Sequence, residues 1–139
     1  MNMGPPALFD EPGARAIASR AGRVAIATSD EVVVHGANAV QRLDAAGSGL
    51  LDVALSADGL RVAAVGLDTL VRVWDTDSGA LLGLLPGHAE RVAAVEFLPD
   101  GDLVTASWDG SCRLWSVGAL TASVEDLDAA VSAAWGARP

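Results

Sequence analysis

Residues 92–116 read VAAVEFLPDGDLVTASWDGSCRLWS, and residues 50–75 read LLDVALSADGLRVAAVGLDTLVRVWD. Laid one on the other, Asp58-Gly59 falls 42 positions before Asp100-Gly101, while Asp68 and Trp74 each fall 41 before Asp109 and Trp115. A weaker copy runs from Arg15 to Leu43, with Gly22 matching Gly59 and Asp30 matching Asp68. After Val124 the run AAVSAAW, residues 129–135, reads as the opening strand of a further unit, with Trp135 in the place of Phe97. Self-similarity at a period near 40 marks an architecture in which one small unit stacks on the next.

Within a unit, β-branched and apolar segments of four to six residues alternate with turn residues, and no segment keeps a helical spacing long enough to form a helix. The third unit predicts strands over Val92–Phe97, Asp102–Ser107, Ser111–Trp115 and Ala119–Val124. Asp100-Gly101 and Asp109-Gly110 are two-residue hairpin signals, because both central positions of a type I′ turn need a positive φ. Asp58-Gly59 does the same in the second unit, and Asp68-Thr69 is a poorer match. The fold is therefore expected to be all-β and antiparallel, with an N-terminal arm over 1–13 and units over 14–45, 46–86 and 87–125. Residues 126–139 then hold the first strand of a further unit and a tail.

The motif residues narrow this further. Gly87-His88 precedes the first strand of the third unit, Ser107 ends the second, Asp109 occupies the tight turn and Trp115 lies in the third. In these positions the unit resembles a WD40 repeat, one blade of a β-propeller. The resemblance implies a buried hydrogen-bonded tetrad running Asp109, His88, Ser107, Trp115. The second unit keeps the signature Asp68, Trp74 and Asp75, but Gly66 stands at the serine position and Ala46-Gly47-Ser48-Gly49 supplies no histidine. The first keeps Asp30, with His35 or Gly36 at the tryptophan position. On this reading His88 and Asp109 are structural, and His35 is an edge or core histidine.

Composition limits the chemistry. The nine basic residues are all arginine, against 18 Asp plus Glu, for a net charge of −9. Such a surface repels nucleic-acid phosphate and anionic lipid, so neither nucleic acid nor membrane is expected as a partner. The N-terminal residues read as no secretory leader, which predicts a cytoplasmic location. One cysteine and two histidines offer no cysteine-rich zinc site and no disulfide, so neither metal nor cofactor is expected. Cys112 reads as a small filler in a buried strand, and the acidic run Glu125-Asp126-Leu127-Asp128 as a solvated loop. No phosphate loop, nucleophile elbow or His-Glu metal pair is present, and the chain is read as a non-enzyme.

What remains is recognition. Trp108, just before the turn aspartate, falls in the family on the rim that receives partners, and Glu90 and Arg91 are expected to open on the same face. An aromatic with charges around it is an interface anchor, so the expected function is a scaffold binding a protein or peptide. Three units and one strand also fall short of the four to eight blades of a closed ring. That incomplete ring is expected to be completed by oligomerisation, by another chain or by more of a longer chain. A self-assembling structural fragment is thus the alternative function, and a hydrolase-type propeller is the third.

Overall fold

The structure is a computed structural model, which describes residues 13–36 and 39–117. Eleven strands and no helix occur among them: β1 Ala16–Arg20, β2 Arg23–Ala27, β3 Glu31–His35, β4 Val40–Asp44, β5 Leu50–Leu55, β6 Arg61–Gly66, β7 Val71–Asp75, β8 Leu81–Leu85, β9 Val92–Phe97, β10 Leu103–Ser107 and β11 Cys112–Trp115. They form three antiparallel meanders, β1 to β4, β5 to β8 and β9 to β11. The sheets stack in chain order and do not close into a ring. The strand expected over Ala119–Val124, the one over residues 129–135 and the acidic run lie outside the described residues.

The turn residues set these hairpins. Gly101 and Gly110 have φ of 95° and 87°, a region that L side chains resist, and Asp109 Oδ1 accepts the Ser111 amide across the tighter turn at 2.8 Å. The second sheet lacks the matching glycine, so Thr69 is held at φ 71° while Asp68 Oδ1 accepts Leu70 N at 3.3 Å. A β-branched residue in that region is strained.

Each sheet has a back face toward the preceding sheet and a forward face toward the following one. Ala25, Ala27, Val32 and Val34 of the first sheet meet Val53, Leu55, Val62, Ala64 and Trp74 of the second. Ala54, Ala63, Val65, Val71 and Val73 of the second meet Val95, Phe97, Leu103 and Trp115 of the third. Strand β6 shows why its sequence is apolar without alternation: Val62 and Ala64 point one way, Ala63 and Val65 the other, and all are buried. Burying one such side chain stabilises by about 1.5–3 kcal/mol against about 1 kcal/mol net for a hydrogen bond, so apolar seams hold the stack together.

Polar side chains of one sheet also reach forward across the seams. Arg23, opening β2, donates to Gly59 O at 3.1 Å, to Thr76 Oγ1 and to Asp77 Oδ1 at 2.7 Å. Arg61, at the same place in β6, donates to Val117 O beyond β11. In the third sheet this place is held by Asp102. Nearer the inner edge, Asp52 Oδ2 accepts the amide of Val95 at 2.9 Å, joining β5 to β9.

Two expectations change here. Cys112 is exposed, because its side chain lies on the forward face of the last described sheet, where no following sheet covers it. The two outer faces are also unlike each other. Ile26 and Val33, at the centre of the first sheet's back face, are buried, and Arg42 lies opposite Val33 while its guanidinium pairs with Glu31 at 2.7 Å. By contrast Ala94, Glu96, Cys112 and Leu114 on the third sheet's forward face are exposed.

A Cβ added to Gly66 would lie 2.3 Å from Gly49 O and 2.8 Å from Leu50 Cα, both backbone atoms of the paired strand and its approach. Gly66→Ala is therefore expected to destabilise the protein by about 1–3 kcal/mol, as overpacking does. Urea denaturation followed by tryptophan fluorescence checks this.

Candidate functional site

The polar centre of the third sheet is assembled from two of its strands, the turn between them and the segment before β9. His88 Nδ1 lies 2.9 Å from Asp109 Oδ2, and His88 Nε2 lies 2.7 Å from Thr105 Oγ1. The Trp115 indole donates its Nε1 proton to the same Thr105 oxygen at 2.9 Å. With the proton on Nδ1 the chain of donors closes without gaps. Trp115 donates to Thr105, Thr105 donates to His88, and His88 donates to Asp109. The rings of His88 and Trp115 meet edge to face, 6.2 Å between centroids. A buried network stabilises when each member is paired, and here each of the four is.

Three of the four residues expected from the sequence are thus brought together, and Ser107 is not among them. Its place is taken by Thr105. The cause is strand geometry: Leu103 lies opposite Trp115, so Thr105, two residues on and on the same face, reaches the indole nitrogen. Ser107 lies beyond a register shift at the end of β10. Its Oγ faces the carbonyls of Glu90 at 3.1 Å and Arg91 at 2.9 Å, and accepts the Asp109 amide at 3.1 Å. Ser107 therefore ties the turn to the loop before β9. Thr105 and Ser107 are the two hydroxyls of LVTAS and both share the parity of Leu103, so alternation alone does not choose between them.

The Asp109 carboxylate is held well below the usual carboxylate range, foremost by the Ser111 hydroxyl, then by the Ala89 amide, His88 and the Ser111 amide, against an opposing desolvation. The arrangement holds the turn in shape, and the Thr105 hydroxyl beside His88 is buried. Among the described residues no three His, Cys, Asp or Glu side chains are grouped as metal ligands, and no helix is long and apolar enough to cross a membrane.

The equivalent places in the second sheet hold Ala64, Gly66 and the Gly47-Ser48-Gly49 turn. Trp74 is buried there without that relay, Asp68 turns to Arg72 instead at 2.6 Å, and Ser48 Oγ is buried with no hydrogen-bond partner. In the first sheet, Asp30 bonds the Thr28 hydroxyl at 3.3 Å and His35 stands at the tryptophan level.

Beside the tetrad lies the rim. Trp108 is 67% exposed, its amide donates to Arg91 O at 3.0 Å, and the Arg91 guanidinium carbon stands 4.3 Å over its ring. A cation over an indole at this distance is an attractive contact. Glu90, whose carbonyl faces Ser107, is exposed next to them.

The family model described as "WD domain, G-beta repeat" matches residues 38–75 and 79–116. The chain belongs to the WD40-repeat family. Each WD40 match starts at the last strand of one sheet and ends with the third strand of the next, 38–75 taking β4 to β7 and 79–116 taking β8 to β11. Every repeat thus spans two blades. Similar proteins include a periodic tryptophan protein 2 homolog of Neurospora crassa, 36% identical over 54% of this chain, and the guanine nucleotide-binding protein subunit beta of Saccharomyces cerevisiae, 38% identical over 50%. A human U5 small nuclear ribonucleoprotein 40 kDa protein is 41% identical over 42%. The matched parts make up 9%, 17% and 16% of these relatives. A cytoplasmic location draws no support from relatives of which one is named for a nuclear particle.

Two outcomes follow. Thr105→Val keeps the shape but leaves the His88 and Trp115 nitrogens unpaired, and is expected to cost about 1–3 kcal/mol for each buried group so orphaned, measured by chemical denaturation. Asp109, with its folded pKa lowered, contributes stability that is complete above the usual carboxylate range and is lost as pH falls through the folded value. Acid titration of Asp109→Asn is expected to show a shallower loss of stability below about pH 4, the unfolded aspartate value, than the parent protein.

Proposed function

We propose that this chain is a non-catalytic scaffold that binds a protein or peptide through the rim formed by Trp108, Arg91 and Glu90. The observation that carries it is the exposed indole fixed in place by Arg91 on one ring face and by its own amide bond to the Arg91 carbonyl. An aromatic ordered before binding loses little conformational freedom on contact, which is the property of an interface anchor. The polar network behind it is internally satisfied and so supports the rim without offering chemistry of its own. Support also comes from relatives whose names make them a subunit or a component of larger assemblies. Nucleic acid is disfavoured as the partner, because a net charge of −9 gives phosphate no electrostatic footprint.

A second reading, self-association, is favoured by large apolar side chains left exposed at both ends of the stack, Ile17 and Leu114. In it, copies of the chain or other polypeptides extend the stack of blades toward a ring.

Truncating the anchor separates rim from stack. Trp108→Ala is expected to weaken partner binding by about 2 kcal/mol or more with circular dichroism and sedimentation unchanged, measured by calorimetry against a partner that copurifies. A variant that binds that partner as the parent does would remove Trp108 from the interface, and one that lost its oligomeric state would move Trp108 into a self-interface.

A further inference from the structure

We infer that the rim recognises a peptide carboxylate, an aspartate or glutamate side chain taken by the Arg91 guanidinium beside an apolar residue laid on the Trp108 indole. The inference rests on the rim-binding function proposed above and adds to it the chemistry of the partner. Its basis is what the other arginines do. Arg15, Arg20 and Arg61 donate to the backbone carbonyls of Leu50, Leu55 and Val117. Arg23, Arg42 and Arg72 pair with Asp77, Glu31 and Asp68 at 2.7, 2.7 and 2.6 Å, and Arg113 also has a partner. Arg91 alone among the described arginines has neither a hydrogen-bond acceptor nor an ion pair, and its guanidinium meets only the Trp108 ring.

The tie between turn and loop does not require that guanidinium. Trp108 donates its amide to Arg91 O at 3.0 Å, and Leu67 donates its own to Gly49 O at 3.1 Å, so Leu67 and Gly49 hold the same places in the second sheet. There the bond forms with no side chain on the acceptor residue. The cation of the third sheet is thus additional to the tie, and it is held still. The Arg91 carbonyl takes the Trp108 amide and the Ser107 hydroxyl, at 3.0 and 2.9 Å, which fixes the backbone from which the side chain leaves. The indole, 4.3 Å from the guanidinium carbon, fixes the far end.

A guanidinium meets a ring through its face and hydrogen-bonds through its edge. Contact with Trp108 therefore leaves the planar N–H fork to a carboxylate, which it matches with two bonds to two oxygens. Order present before contact removes part of the entropy cost of binding. Trp108 is 67% exposed with Arg91 over its ring, so indole surface is left for an apolar neighbour of that carboxylate. Glu90 bounds the choice. It is exposed beside Arg91 on a chain of net charge −9, so a run of acidic residues is repelled and a single carboxylate among apolar or basic residues is accepted. At physiological salt a screening length of about 8 Å confines the general repulsion and spares a pair in contact.

The test is selection from a displayed library of short random peptides on the whole protein, with Trp108→Ala as the counter-selection, then calorimetry on synthetic, C-terminally amidated winners. The winners are expected to carry one Asp or Glu next to an apolar residue. Exchanging that acid for its amide is expected to weaken binding to the parent by about ten- to a hundredfold, the range of a charge-assisted hydrogen bond. The same exchange is expected to change nothing for Arg91→Met. Arg91→Lys is expected to recover only part of the loss, because an ammonium keeps the charge without the fork. Circular dichroism checks the fold of both variants, and the exchange within the peptide tests the pairing on the unaltered chain. Trp108-dependent peptides that lack an acid, or whose amide forms bind equally well, would overturn the carboxylate and leave the rim standing. A library in which no peptide depends on Trp108 would overturn both.

Discussion

The middle sheet buries both of its faces, and the rest of the structure follows from that double burial. A strand such as β6 cannot alternate apolar with polar residues when Val62 and Ala64 face one neighbour while Ala63 and Val65 face the other. The seams so formed are made mostly of small and branched side chains, alanine and valine on the forward faces meeting larger groups such as Trp74, Phe97 and Trp115 on the back faces. Small against large lets the sheets approach closely without voids. The forward-pointing ties of Arg23 and Arg61 act on this base and give the stack a direction.

The polar network of the third sheet stands in a different relation to stability. Its members pair with one another, and Asp109 also accepts from Ala89 and Ser111, so the network fixes the loop before β9 against the turn at Asp109. The second sheet, buried on both faces, lacks it. The third, covered on its back face alone among the described residues, has the network and also carries the exposed rim. Rigidity is thus placed beside the exposed Trp108.

Much of this was legible in the sequence. The turn dipeptides at Asp58-Gly59, Asp100-Gly101 and Asp109-Gly110 placed the hairpins to within a residue, because positive φ is a demand that few residue types meet. The 41-residue spacing of Asp68 to Asp109 and of Trp74 to Trp115 gave the unit. Ser107 was expected where Thr105 stands, since which hydroxyl meets an indole depends on cross-strand register, and the register shifts between Ala106 and Ser107. Cys112 was misplaced for a related reason: a strand's apolar residues look alike from sequence whether a neighbour covers them or not. The exposure of Ile17 and Leu114 is likewise a property of the stack's ends.

The contact between Gly49 and Gly66 has a consequence for how such repeats change over time. The backbone of the Gly49 turn has closed over the site where the third sheet keeps the Ser107 side chain, and Gly49 itself, at φ 67°, is hemmed in by Leu67. A side chain at Gly66 would meet that backbone, and one at Gly49 would meet Leu67. A serine at position 66 would therefore need the Gly49 turn to move with it, so the second repeat cannot take on the third's tie between turn and loop by that one substitution.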